Sequence, residues 1–212
     1  MFNLIIGKIG SGKSTISQYL RERGYLVIDT DQLMKDLFAK IENKTVIIAK
    51  YGKEAFTDRN TLSVPIIEKC LDSEEDYGWF RNLIEQDYID RISVFNKMYP
   101  VFIETAVILP ALYKFYNSID HVFEITCDYY TRKQRVIHRY EDKIYGGGNM
   151  SEADKQRIDK TETLQNRFNL AVDELQAYNI QIKHKEFVND DNANPQEIAT
   201  QIEYIINKVI TE

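Results

Sequence analysis

One run of residues constrains this chain more than any other: Gly7-Lys8-Ile9-Gly10-Ser11-Gly12-Lys13-Ser14-Thr15, preceded by the apolar Phe2 to Ile6 and followed by helix formers up to Gly24. Gly7 to Ser14 satisfy every fixed position of G-x-x-x-x-G-K-[ST], a pattern that works only between a strand and a helix. Its glycines let successive N–H groups turn inward around an anion, and the helix start adds its own donors and dipole. The segment is therefore expected to hold the phosphates of a nucleotide. Lys13, expected to meet solvent, would bridge the β- and γ-phosphates; Ser14 would set its hydroxyl on Mg2+, with Thr15 just behind it.

Short β-type runs recur at Asn3–Ile6, Tyr25–Asp29, Val101–Glu104, His121–Thr126 and Glu186–Val188, with helical patterns between them. Such alternation predicts an α/β fold with a parallel sheet covered on both faces. The first strand, loop, helix and second strand fit into about thirty residues, a single βαβ unit. From Gln32 to Tyr99 the pattern is helical throughout: Ile66, Ile67, Cys70 and Leu71 form one apolar stripe, and Trp79, Phe80, Leu83 and Ile84 another. Tyr145-Gly146-Gly147-Gly148-Asn149 separates two charged helical stretches and reads as the hinge of a flap. Asn194-Pro195-Gln196-Glu197 supplies a cap, a first-turn proline and an acidic third position for a last helix, with Ile198, Ile202, Ile205, Ile206 and Val209 on its apolar face.

Bulk properties exclude several classes. A net charge of −6 over 212 residues provides no overall basic surface of the kind a duplex nucleic-acid binder shows, though a local patch stays open. Cys70 and Cys127, far apart in apolar surroundings, are expected to be free buried thiols of a reducing cytosol. No run has the length of a membrane span, and the apolar start lacks a charged leader; a cytoplasmic protein is expected.

Phosphate binding alone does not separate kinases from switches or motors. No Asn-Lys-x-Asp base-reading motif of a GTPase switch occurs, and the chain is too compact for a motor ATPase. The short path to Val27-Ile28-Asp29-Thr30-Asp31 points instead to a small-molecule kinase. In open α/β sheets ligands bind at the carboxyl ends of strands, where Asp31 can take the proton of an attacking hydroxyl and Asp29 can hold Mg2+ through water. The bland reading makes Asp31 the N-cap of a helix from Gln32 to Ala39. Arg132, Arg135 and Arg139, with Lys133, lie on the helix after the fourth strand; Arg135 and Arg139 share a face and can neutralise charge on a transferred phosphoryl group. The bland reading there is a solvated charged face. His138 has no metal-spaced companion and is expected at the surface.

These residues resemble the dephospho-coenzyme A kinases. The family's G-G-I-G-S-G-K-S is similar to Gly7–Ser14, its V-I-D-A-D to Val27–Asp31, and its turn before D-R-x-x-L to Phe56-Thr57-Asp58-Arg59-Asn60-Thr61-Leu62. Its lid arginines match Arg135 and Arg139, and its V-I-x-N ending resembles Phe187-Val188-Asn189-Asp190. The resemblance implies a P-loop kinase fold of α/β class: a five-stranded parallel sheet flanked by helices, in one domain of residues 1–212. Its core would be about 1–31, 100–140 and 180–212, its helical acceptor-binding region about 32–99 and its lid about 140–165. It further implies MgATP-dependent phosphorylation of the ribose 3′-hydroxyl of dephospho-coenzyme A, with Asp31 as base and Lys13, Arg135, Arg139 and Asn189 joining Gly7–Thr15 in nucleotide and phosphoryl contacts. A monomer or weak homo-oligomer would go with it.

Departures fall on the acceptor side. Glu85-Gln86-Asp87-Tyr88 stands where the family has H-P-L-I, and Glu104-Thr105-Ala106-Val107-Ile108-Leu109 where it has P-L-L-F-E; extra residues around Tyr178 to Lys185 precede the last strand. Two alternatives accompany the first reading: a deoxynucleoside monophosphate kinase of viral type, in which arginines would dominate, and a non-catalytic ATP-binding module.

Overall fold

The computed structural model describes residues 2–95, 100–106, 117–143 and 182–211, with single positions 159, 161, 163, 172, 175 and 176. In chain order the elements are β1 (Phe2–Ile6), α1 (Lys13–Glu22), β2 (Leu26–Asp29), α2 (Thr30–Ala39), α3 (Ile41–Tyr51), a 3-10 turn (Lys53–Ala55), α4 (Val64–Asp72), α5 (Glu74–Ser93), β3 (Val101–Glu104), β4 (Ile119–Thr126), α6 (Tyr129–Lys143), β5 (Lys183–Val188) and α7 (Pro195–Thr211). They form two compact units, residues 1–28 with 98–212, and residues 29–97.

The first unit carries a five-stranded parallel sheet in the order β2-β3-β1-β4-β5. β1 lies at its centre, with Leu4 opposite Ile103 on one side and Val122 on the other. All of β1 is buried, the condition that makes a parallel strand read as a nearly continuous apolar run, interrupted here by Asn3, whose side-chain amide donates to the Val101 carbonyl at 3.4 Å. Ile16 and Leu20 of α1 and Ile198, Ile202 and Ile206 of α7 pack with Phe102, Phe123 and Phe187 into one core. Asn194 opens α7 by accepting from the Gln196 amide at 3.0 Å, as its cap motif predicts. β4 begins at Ile119 and β5 at Lys183, both earlier than their sequence pattern suggests, because Asp120 and the Lys183-His184-Lys185 run conceal the strand signal.

The second unit is helical. Ile47, Ala55, Ile66, Cys70 and Phe80 form its core, joined by Phe38, Tyr51 and Trp79. Ile67, expected on the apolar stripe, is instead exposed. α2 starts at Thr30, and its cap is Asp29, whose Oδ1 accepts from the amides of Asp31 and Gln32 at 2.9 and 3.1 Å. Asp31 is thus a first-turn residue and not the N-cap, correcting the bland reading. In the Phe56–Leu62 turn, Asn60 takes a positive φ of 60°, a conformation that asparagine tolerates better than most residues.

Both cysteines are free. Burial pushes the Cys70 thiol up to about 12. Cys127, expected to be buried, is only half-buried. Among the described residues no helix is long and apolar enough to cross a membrane. The glycine hinge at 145–149, and the extra residues 178–181, lie outside the described residues.

Candidate active site

The Gly7–Thr15 loop leaves the carboxyl end of β1 and enters α1. Gly10 and Gly12 have φ of 80° and 94°, values that side chains rarely tolerate. A side chain at Gly10 would also strike the Arg132 carbonyl, and one at Gly12 the Asn189 carboxamide. Gly12 is the N-cap of α1 and gives the helix no side-chain acceptor, whereas α2 has Asp29 and α5 has Ser73. An anion is the natural partner for a helix start of that kind.

Three neighbours fix the loop. Arg132, 5% exposed, donates from Nε to the Cys127 carbonyl at 3.0 Å and from Nη1 to the Ile9 carbonyl at 3.2 Å. It is a buried brace and not part of a solvated face. The Ile9 side chain packs on Val136 of α6. Asn189, just after β5, donates from Nδ2 to the Ser11 carbonyl at 2.7 Å.

Inside the loop, Lys13 is buried, correcting the expectation that it meets solvent, and its ammonium donates to the Lys8 carbonyl at 3.3 Å. Ser14 donates its hydroxyl to Glu104 Oε1 at 2.7 Å. Glu104 ends β3 and is 5% exposed; among the described residues its Oε2 has no hydrogen bond, only the Arg21 guanidinium at 3.6 Å. This carboxylate went unnoticed as a site residue. Ser14 and Glu104 are ninety positions apart, and only the parallel pairing of β1 with β3 unites them. A hydroxyl beside a buried carboxylate is an oxygen donor set suited to a hard cation such as Mg2+, which keeps most of its waters and takes few protein ligands.

Of the basic residues on α6, Arg135 donates from Nη1 to the Asn189 carbonyl at 2.8 Å and from Nη2 to the Asp190 carbonyl at 2.9 Å. Arg139 is exposed. His138 is exposed too, 3.9 Å from Glu141. In the helical unit, Asp31 is exposed on the first turn of α2. The nearly buried Tyr88 hydroxyl of α5 is held protonated, chiefly by burial and secondly by the Asp31 charge.

A parallel sheet of this order, with a glycine-braced phosphate loop entering its first helix, defines a P-loop kinase, an ATP-dependent phosphotransferase. The family profile described as dephospho-CoA kinase matches residues 4–179. The chain belongs to the dephospho-CoA kinase family. It is 28% identical over 152 residues to the dephospho-CoA kinase of Fusobacterium nucleatum, covering 66% of this chain and 72% of that one. Among solved structures, TT1252 from Thermus thermophilus superposes with a TM-score of 0.61 at 17% identity, covering 98% of this chain and 97% of that one. The dephospho-CoA kinase from Campylobacter jejuni gives 0.57 at 16%, covering 98% of each. These two likenesses bear on the fold alone. The viral-type monophosphate kinase and the non-catalytic module are not favoured.

Proposed function

We propose that the protein transfers the γ-phosphoryl group of ATP to the ribose 3′-hydroxyl of dephospho-coenzyme A in the presence of Mg2+. The observation that carries the reading is the braced Gly7–Thr15 loop, in a chain matched by the family profile over residues 4–179. The loop amides and the first turn of α1 enclose the β-phosphate. Lys13 exchanges the Lys8 carbonyl for the β- and γ-phosphates. Ser14 and Glu104 would hold the Mg2+, whose charge would offset that of the phosphates; Asp29, by its place at the end of β2, is a further candidate that would act on the ion through water. The acceptor oxygen bonds to the γ-phosphorus as the bond to the β,γ-bridging oxygen breaks; ADP departs and the hydroxyl proton passes to Asp31. Arg139 offsets charge on the moving phosphoryl group, while Arg135 and Asn189 shape the nucleotide end through the loop after β5. Support for Asp31 comes from its match to the family position. A cytoplasmic setting, typical of the family, and a monomer or weak homo-oligomer complete the reading.

The test is ATP consumption against dephospho-coenzyme A and a panel of nucleoside and deoxynucleoside monophosphates, with products identified by mass. Stimulation by dephospho-coenzyme A alone is expected, and Asp31→Asn lowers turnover by about a hundredfold. Preference for a monophosphate, or no stimulation by any acceptor, overturns the proposal.

A further inference from the structure

Helix α1 grips one carboxylate at two points. Ser14, in its first turn, hydrogen-bonds Glu104 Oε1 at 2.7 Å; Arg21, in its last turn, brings Nη2 to 3.6 Å from Oε2. The two residues are seven positions apart, close to two full helical turns, so they stand on one stripe of α1. Arg21 is also tied to the sheet, with the same nitrogen 3.5 Å from the Val27 carbonyl of β2. Glu104 needs such a hold. Its side chain has three rotatable bonds, so a glutamate fixed at one oxygen alone retains freedom that must be lost when it acts. Arg21 is 33% exposed and Glu104 only 6%, so the pair reaches into an interior where charge is screened less than at the surface.

We propose that Arg21 is a positioning residue for phosphoryl transfer: its charge holds Glu104 Oε2 so that Oε1 stays on Ser14, keeping hydroxyl and carboxylate together for the magnesium nucleotide. The proposal rests on the reading of Ser14 and Glu104 as the metal-side pair. Arg21 acts through Glu104 and meets no reacting atom.

Calorimetry with a non-hydrolysable ATP analogue, in magnesium and in EDTA, tests it on the wild type, Arg21→Ala, Arg21→Gln, Arg21→Lys, and Arg21→Gln combined with Glu104→Gln. Both neutral variants are expected to weaken magnesium-nucleotide binding about tenfold, as loss of a partner behind a metal ligand does, while metal-free binding changes by less than about twofold on the same argument. Arg21→Lys should recover most of the loss, and Arg21→Gln should add nothing once Glu104→Gln is present. Equal weakening with and without magnesium overturns the proposal in favour of a structural role, as does the same loss in the Glu104→Gln background. A magnesium-sensitive wild type with indifferent Arg21 variants overturns the Arg21 role alone. A wild type whose nucleotide affinity ignores magnesium overturns the metal-side reading, and the Arg21 role with it.

Discussion

Lys13 is buried, yet its proposed role needs only a change of partner. Its ammonium rests on the Lys8 carbonyl, so reaching a phosphate exchanges one oxygen acceptor for a more strongly charged one. The aliphatic stem is packed, and truncation to alanine would mix lost packing with lost charge. Lys13→Met keeps the stem. It is expected to lower turnover by about a thousandfold, the scale of losing one preorganised charge contact, while its thermal midpoint stays close to that of the wild type. Steady-state kinetics beside a melting curve checks both, and retained turnover would remove Lys13 from the chemistry.

At the scale of the element, α2 depends on its cap. Asp29→Ala strips the acceptor from the Asp31 and Gln32 amides and should cost about 1 kcal/mol, read as a lower urea midpoint, with Asp29→Ser recovering most of it. Val27-Ile28-Asp29-Thr30-Asp31 made a strand end and a following helix legible, yet two aspartates two residues apart are equal candidates for a cap until the backbone geometry is known. The same limit explains the other misses. The apolar runs of β1 and β3 were plain because both faces of those strands are covered. β5 was half hidden because a strand at the sheet's edge carries lysines and a histidine that discourage pairing with a further chain. In the site, the phosphate loop was legible from local spacing. Glu104 was not, since a carboxylate at a strand end acquires meaning only when the sheet brings Ser14 against it. Arg132 looked like its neighbours on α6, and only burial separates a brace from a surface charge.

At the scale of the whole molecule, one pH-sensitive group lies inside the first unit's sheet. His121 of β4 is 3% exposed, its Nδ1 lies 3.2 Å from Asn3 Oδ1, and its ring stacks on Phe123. Burial, and secondly the Lys183 charge, hold the imidazole below its ordinary value. The unfolded chain therefore binds this proton first as pH falls; the contribution is present above about 6.5 and is lost below it, toward the lowered folded value. Neighbouring Asp120 has the opposite sign, its carboxyl raised by burial. His121→Gln should narrow the stability difference between about pH 7.5 and pH 5.5, measured by urea unfolding at each; an unchanged difference would show that another group governs it. The Asn189 carboxamide on the Ser11 carbonyl spans 178 residues of chain. During synthesis, residues 7–15 leave the ribosome long before this clasp exists, so the earliest signature in the chain is among the last parts of the protein to become competent.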